Sequence, residues 1–88
     1  MPKITDAEQL SELITTLLSY KDSKLLGKFL QAILTPQELK EIPTRLQIIK
    51  LLKQGISQRE VAQQLGVGIA TVTRGSKELQ KGSFSDIE

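Results

Sequence analysis

Eighty-eight residues carry 12 Lys or Arg against 10 Asp or Glu, with no cysteine and no histidine. A chain of that length makes one small domain with limited apolar burial. Disulfides and thiolate metal sites are excluded, and the side chain most used as general base or metal ligand is missing. No apolar run approaches the ~20 residues of a membrane span. Asp6 and Glu8 interrupt the start too early for a signal peptide, so a cytoplasmic protein is expected. The charge is uneven: residues 1–44 sum to −1 and residues 45–88 to +3.

Taken in chain order, Thr5-x-x-Glu8 is a capping box, in which the Thr hydroxyl accepts an orphan N–H of the first turn. Leu10, Leu13, Ile14, Leu17 and Leu18 follow at helical spacing, which predicts an amphipathic helix to about Tyr20. Lys21-Asp22-Ser23 is a polar break. Leu25, Leu26, Phe29, Leu30 and Ile33 predict a second helix from about Ser23 to Leu34. Two such apolar stripes exceed what a small helical monomer covers, so dimerisation is a natural way to complete the core.

Thr35-Pro36-Gln37-Glu38 is a further capping box with Pro at the first helical position. Pro43 then costs the helix a hydrogen bond and a clash, ~3 kcal/mol. Either a short helix ends near Glu41 and another starts at Pro43, or one long helix bends there. Leu46, Ile48, Ile49, Leu51 and Leu52 carry the helix to about Gln54, and Gly55 ends it.

Ser57 and Glu60 form the next capping box, and Val61, Ala62 and Leu65 share one face. Gly66 suits a left-handed helix end, Val67 turns back to the core, and a second helix runs from about Ile69 with Val72 inward. This is a helix-turn-helix pattern. Gly68, Ile69, Ala70, Thr71 and Thr73 make a slim outer face that fits a major groove. Gln58 and Arg59 open the first helix of the motif, where Arg59 would reach a guanine edge or a phosphate. Arg74 and Lys77 would reach phosphates. An αα-hairpin with a glycine cap, its small residues forming a packing seam, also satisfies these positions. Residues 82–88 read as a frayed tail. There are no repeats and no strands. The fold class is all-α, with five helices, or six if Pro43 splits one. It is read as one domain over 1–88: dimerisation helices 1–34, a central helix 35–56, the helix-turn-helix 57–81 and a tail.

Four stretches resemble the bacterial tryptophan operon repressor family: Leu34-Thr35-Pro36-Gln37-Glu38, Thr44-Arg45-Leu46-Gln47-Ile48, Ser57-Gln58-Arg59-Glu60 and Gly68-Ile69-Ala70-Thr71-Val72-Thr73-Arg74-Gly75-Ser76. The resemblance covers about residues 25–80. It implies an intertwined homodimeric repressor that binds an operator in double-stranded DNA, with L-tryptophan or a related amino acid as corepressor, in the bacterial cytoplasm at the nucleoid. By position, Arg45 and Arg74 would sandwich the indole, and Arg74 would also meet the ligand carboxylate. Leu34 and Thr35 would come from the partner chain, and Gly75 would leave room near the ring. Glu78 replaces a small polar residue near the ligand amine. Ile69, Ala70 and Thr73 would sit at the bases.

The chain departs from the family at Pro43, at Ala32, between Lys53 and Ser57, and after Lys81, where most of the family's last helix is missing. Simpler roles also fit: a Glu41–Arg45 helix pair, a phosphate contact for Arg74, an N-cap for Thr35. A ligand-independent regulator and a helical protein-interaction module are the alternatives. No carboxylate pair sits in a pocket-like pattern, so an enzyme is not expected.

Overall fold

The computed structural model describes residues 2–88. Five helices occur among them: α1 (Asp6–Ser19), α2 (Ser23–Ile33), α3 (Pro36–Lys53), α4 (Gln58–Leu65) and α5 (Ile69–Gln80). No strand is found among the described residues. Two compact units divide the chain after Pro36.

In the first unit, α1 starts where Thr5 Oγ1 accepts the Glu8 N–H at 3.1 Å. The break before α2 is capped by Asp22, whose carboxylate accepts the Lys24 N–H at 2.8 Å. The Tyr20 and Phe29 rings pack with centroids 5.3 Å apart. No residue of α1 or α2 is buried, and Leu18 is 79% exposed.

In the second unit, α3 runs through Pro43 without ending. The expected split into two helices does not occur, and the count stays at five. The physical reason is local and tertiary together. Pro43 leaves the Leu39 carbonyl without its ladder donor. One residue on, the Thr44 hydroxyl donates to the Lys40 carbonyl at 2.8 Å. Further along, Ile48 and Ile49 are buried and anchor the helix beyond the break.

The helix-turn-helix forms as expected. Ser57 Oγ accepts the Glu60 N–H at 3.2 Å. Gly66 closes α4 at φ 65°, and the Val67 N–H donates back to the Ala62 carbonyl at 3.1 Å. A side chain at Gly66 would be strained in that left-handed conformation. Ile48, Val61 and Val72, one from each helix, meet in a core closed by Leu51, Leu52, Ile56, Leu65 and Val67.

Residues 81–86 are turns rather than a frayed end. The Lys53 ammonium donates to the Phe84 carbonyl at 2.8 Å and also to the Ile87 carbonyl. Phe84 is half-buried. Three rotatable donors on a long stem let one lysine gather two carbonyls that have no helix to join.

Candidate functional site

A cavity of about 900 Å³ opens between α3 and α5 in the second unit. The α3 wall carries Glu41, Thr44, Arg45, Ile48 and Ile49, and the α5 wall carries Thr71, Arg74, Gly75 and Glu78. Gly68, at the α5 N-cap, and Phe84, from the tail, line it too. Four of the six residues assigned to the ligand by resemblance therefore line one cavity: Arg45, Arg74, Gly75 and Glu78. Leu34 and Thr35 lie on the segment between α2 and α3, in the first unit.

Each wall residue is placed by its helix. Arg45 stands one turn after Glu41, and their charged ends are 3.9 Å apart. The Arg45 side chain is 70% exposed, so this pair is worth ~0–0.5 kcal/mol. Little holds Arg45 in its present position. Arg74 is also exposed. Glu78 is held more firmly: its two oxygens accept from the Lys81 ammonium and the Ser83 hydroxyl, each at 3.0 Å. The Lys81 hydrogen bond, then that of Ser83, holds its carboxyl below the usual range, so it is ionised at neutral pH.

Gly75 sets how closely α5 approaches α3. A Cβ there would stand 2.9 Å from Ile48 Cγ2 and 3.5 Å from Ile49 Cδ1. Ile48 is 1% exposed, and its Cγ2 is fixed to Cβ, so it cannot swing aside. The absent side chain thus makes room for Ile48 as well as for the cavity. Gly75→Ala is expected to lower the thermal midpoint. Overpacking of ~1–3 kcal/mol outweighs the ~1 kcal/mol that alanine contributes to helix propensity. A midpoint above that of the parent protein would show that α3 and α5 separate freely.

The residues assigned to DNA lie on the helix-turn-helix. Arg59, Gly68, Ile69, Ala70, Thr71 and Lys77 are exposed, and Ile69 shows 52% of its surface. Gln58 and Thr73 are half-buried and bonded to each other, with Thr73 Oγ1 donating to Gln58 Oε1 at 2.8 Å. Gly68 and Thr71 belong to both groups, because the first turn of α5 has one side in the cavity. Phe84, Ser83 and Lys53 had no signal in the sequence pattern. Phe84 stands alone among small polar residues, with no periodicity to assign it an inner face.

Among the described residues there is no acidic, His or Cys cluster suited to a metal, and no helix is long and apolar enough to cross a membrane.

Comparison with known proteins follows the same residues. The family model described as "Trp repressor protein" matches residues 8–85. The "Trp operon repressor homolog" of Vibrio campbellii is 41% identical over 86 residues, covering 97% of this chain and 83% of the relative. The protein of the same description in Vibrio cholerae is 37% identical over 83 residues, covering 93% of this chain and 78% of the relative. A shorter match, 48% over 52 residues, links 58% of this chain to 48% of the Aliivibrio fischeri protein so described. The chain belongs to the Trp repressor protein family, a family of helix-turn-helix transcriptional regulators rather than enzymes.

Proposed function

We propose that this regulator is a homodimeric repressor that binds a double-stranded DNA operator and takes L-tryptophan, or a related amino acid, as corepressor. One observation carries the reading. The first turn of α5 has the cavity on one side and exposed small residues on the other, so occupancy of the cavity bears directly on how that helix is presented. Arg45 and Arg74 would stack on the two indole faces, and Arg74 would meet the carboxylate. Gly75 and Glu78 would line the ring and amine ends. Leu34 and Thr35 of a second chain would close the site. Gly68, Ile69, Ala70 and Thr71 would enter the major groove, with Arg59 at a base or phosphate and Lys77 on the backbone. Work at the bacterial nucleoid follows from that activity.

The homodimer is supported by the bare apolar stripes of α1 and α2, where Leu10, Ile14, Leu18, Leu25 and Ile33 are all exposed. A second copy supplies matching stripes. Residues 1–34 are accordingly read as the dimerisation part of one domain over 1–88.

The test is a calorimetric titration with L-tryptophan, alone and with an operator selected from a random-sequence library. Tryptophan should bind, and should tighten operator binding. Sedimentation should give a mass near twice 9.8 kDa. Operator binding unaffected by tryptophan would leave a ligand-independent regulator. A monomer at ~100 μM would remove the shared ligand site. Such a monomer would have to leave uncovered apolar surface worth ~25 cal/mol per Å².

A further inference from the structure

The turns after α5 bring the second unit its one aromatic ring. The chain has two Phe, one Tyr and no Trp. Tyr20 and Phe29 belong to the first unit, and Phe84 to the second. Two polar anchors fix where residue 84 stands. On the α5 side, the Ser83 hydroxyl donates to Glu78 Oε2 at 3.0 Å. On the α3 side, the Lys53 ammonium donates to the Phe84 carbonyl at 2.8 Å and to the Ile87 carbonyl. Each anchor is open to water and contributes modestly by itself. Swinging residue 84 away from the cavity breaks both. Of residues 81–88, only Phe84 and Ile87 are half-buried, and Phe84 borders the cavity.

The ring is a wall and not a plug. With Phe84 in place the cavity still measures about 900 Å³, within the ~300–1,000 Å³ of small-molecule sites. The rest of its lining discriminates weakly between flat and compact ligands. Ile48, Ile49 and Val67 offer aliphatic surface. Arg45 and Arg74 stack on flat rings, but they also attract a carboxylate on a ligand of any shape. Phe84 alone offers a ring with a negative face and a positive edge, which favours a second aromatic ring packed offset or edge-on.

We propose that Phe84 is a ligand-contact residue that favours an aromatic amino acid, whose ring packs against it in the cavity. Ser83 is the positioning residue that holds it there, through Glu78. The inference rests on the corepressor reading above.

The test uses the full chain and L-tryptophan as the probe. In the parent protein, which needs no substitution, the Phe84 ring protons should show NMR cross-relaxation to the indole protons of bound tryptophan. By calorimetry, Phe84→Leu, which keeps apolar bulk and removes the ring, should weaken tryptophan binding about two- to tenfold, the range for one aromatic pair. Phe84→Tyr keeps the ring and should bind like the parent. Ser83→Ala should cost part of the Phe84→Leu loss, Ser83→Thr should restore it, and Ser83→Ala should add nothing in the Phe84→Leu background.

A parent protein that binds tryptophan without contact between the two rings would overturn this proposal and leave the corepressor reading standing. Tighter binding by Phe84→Leu would show the ring competing with the ligand for the cavity, and overturn it as well. A Ser83→Ala loss that persists in the Phe84→Leu background would overturn the positioning role. A parent protein that binds no tryptophan would end the corepressor reading, and this proposal with it.

Discussion

Arg74→Ala is expected to weaken L-tryptophan binding about ten- to 150-fold, measured by calorimetry on the folded protein. The range follows from losing a charge-assisted contact worth ~1.5–3 kcal/mol, at tenfold per 1.4 kcal/mol. Arg74 is exposed in the free protein, which favours the lower part of that range through solvent screening. Arg45→Lys should be milder, about two- to fivefold. It keeps the positive charge and loses only the planar face, a stacking effect of ~0.5–1 kcal/mol at an exposed site. Releasing Arg45 from Glu41 adds little to either number, because the pair is 3.9 Å apart and open to water. Equal losses for both changes would mean that charge alone attracts the ligand, and the sandwich would be wrong.

Ile48→Ala is expected to lower the thermal midpoint by at least about 8 °C. A buried Ile to Ala change costs ~2–5 kcal/mol through lost transfer energy and the cavity left behind. Each kcal/mol moves the midpoint of a domain this size about 4–8 °C. The effect should be large because Ile48 is one of four buried hydrophobics among the described residues, and the core has little redundancy. Leu18→Ala is the informative partner in the same melting experiment. Leu18 is 79% exposed in the single chain, so its loss should cost nearly nothing unless a second chain covers it. A drop that grows with dilution would place Leu18 in the dimer interface. A small Ile48→Ala effect would mean that the α3–α4–α5 core is not what holds the second unit.

How much was legible in the sequence depended on how local each signal is. Thr5 and Ser57 lie within three residues of the N–H groups they cap, so those helix starts could be placed closely. Gly66 marked the end of α4 because only a residue without Cβ adopts φ 65° cheaply. The family was readable for a similar reason: the run from Gly68 to Ser76 combines small outer residues, an inward Val72 and the Arg74-Gly75 pair in one short stretch. Even the Glu41–Arg45 contact was visible as an i,i+4 spacing.

Pro43 was ambiguous because two effects of similar size oppose each other there. The local cost of ~3 kcal/mol argues for a break. Burial of Ile48 and Ile49, each worth ~1.5–3 kcal/mol, argues for continuity, and burial is a property of the folded chain. The sequence by itself determined the all-helical class, the caps at Thr5 and Ser57, the motif and the membership of a regulator family, all of which follow from contacts within one or two turns. Only the tertiary structure decided that Pro43 is absorbed, that Phe84 joins Arg45 and Arg74 around one cavity, and that the Thr73 hydroxyl is bonded to Gln58. The hydrogen bonds from Thr73 to Gln58 and from Lys53 to Ile87 span 15 and 34 residues, and no period or cap in the chain encodes such distances. They arise where three helices meet on the Ile48, Val61 and Val72 core, which sets the spacing of every side chain above it.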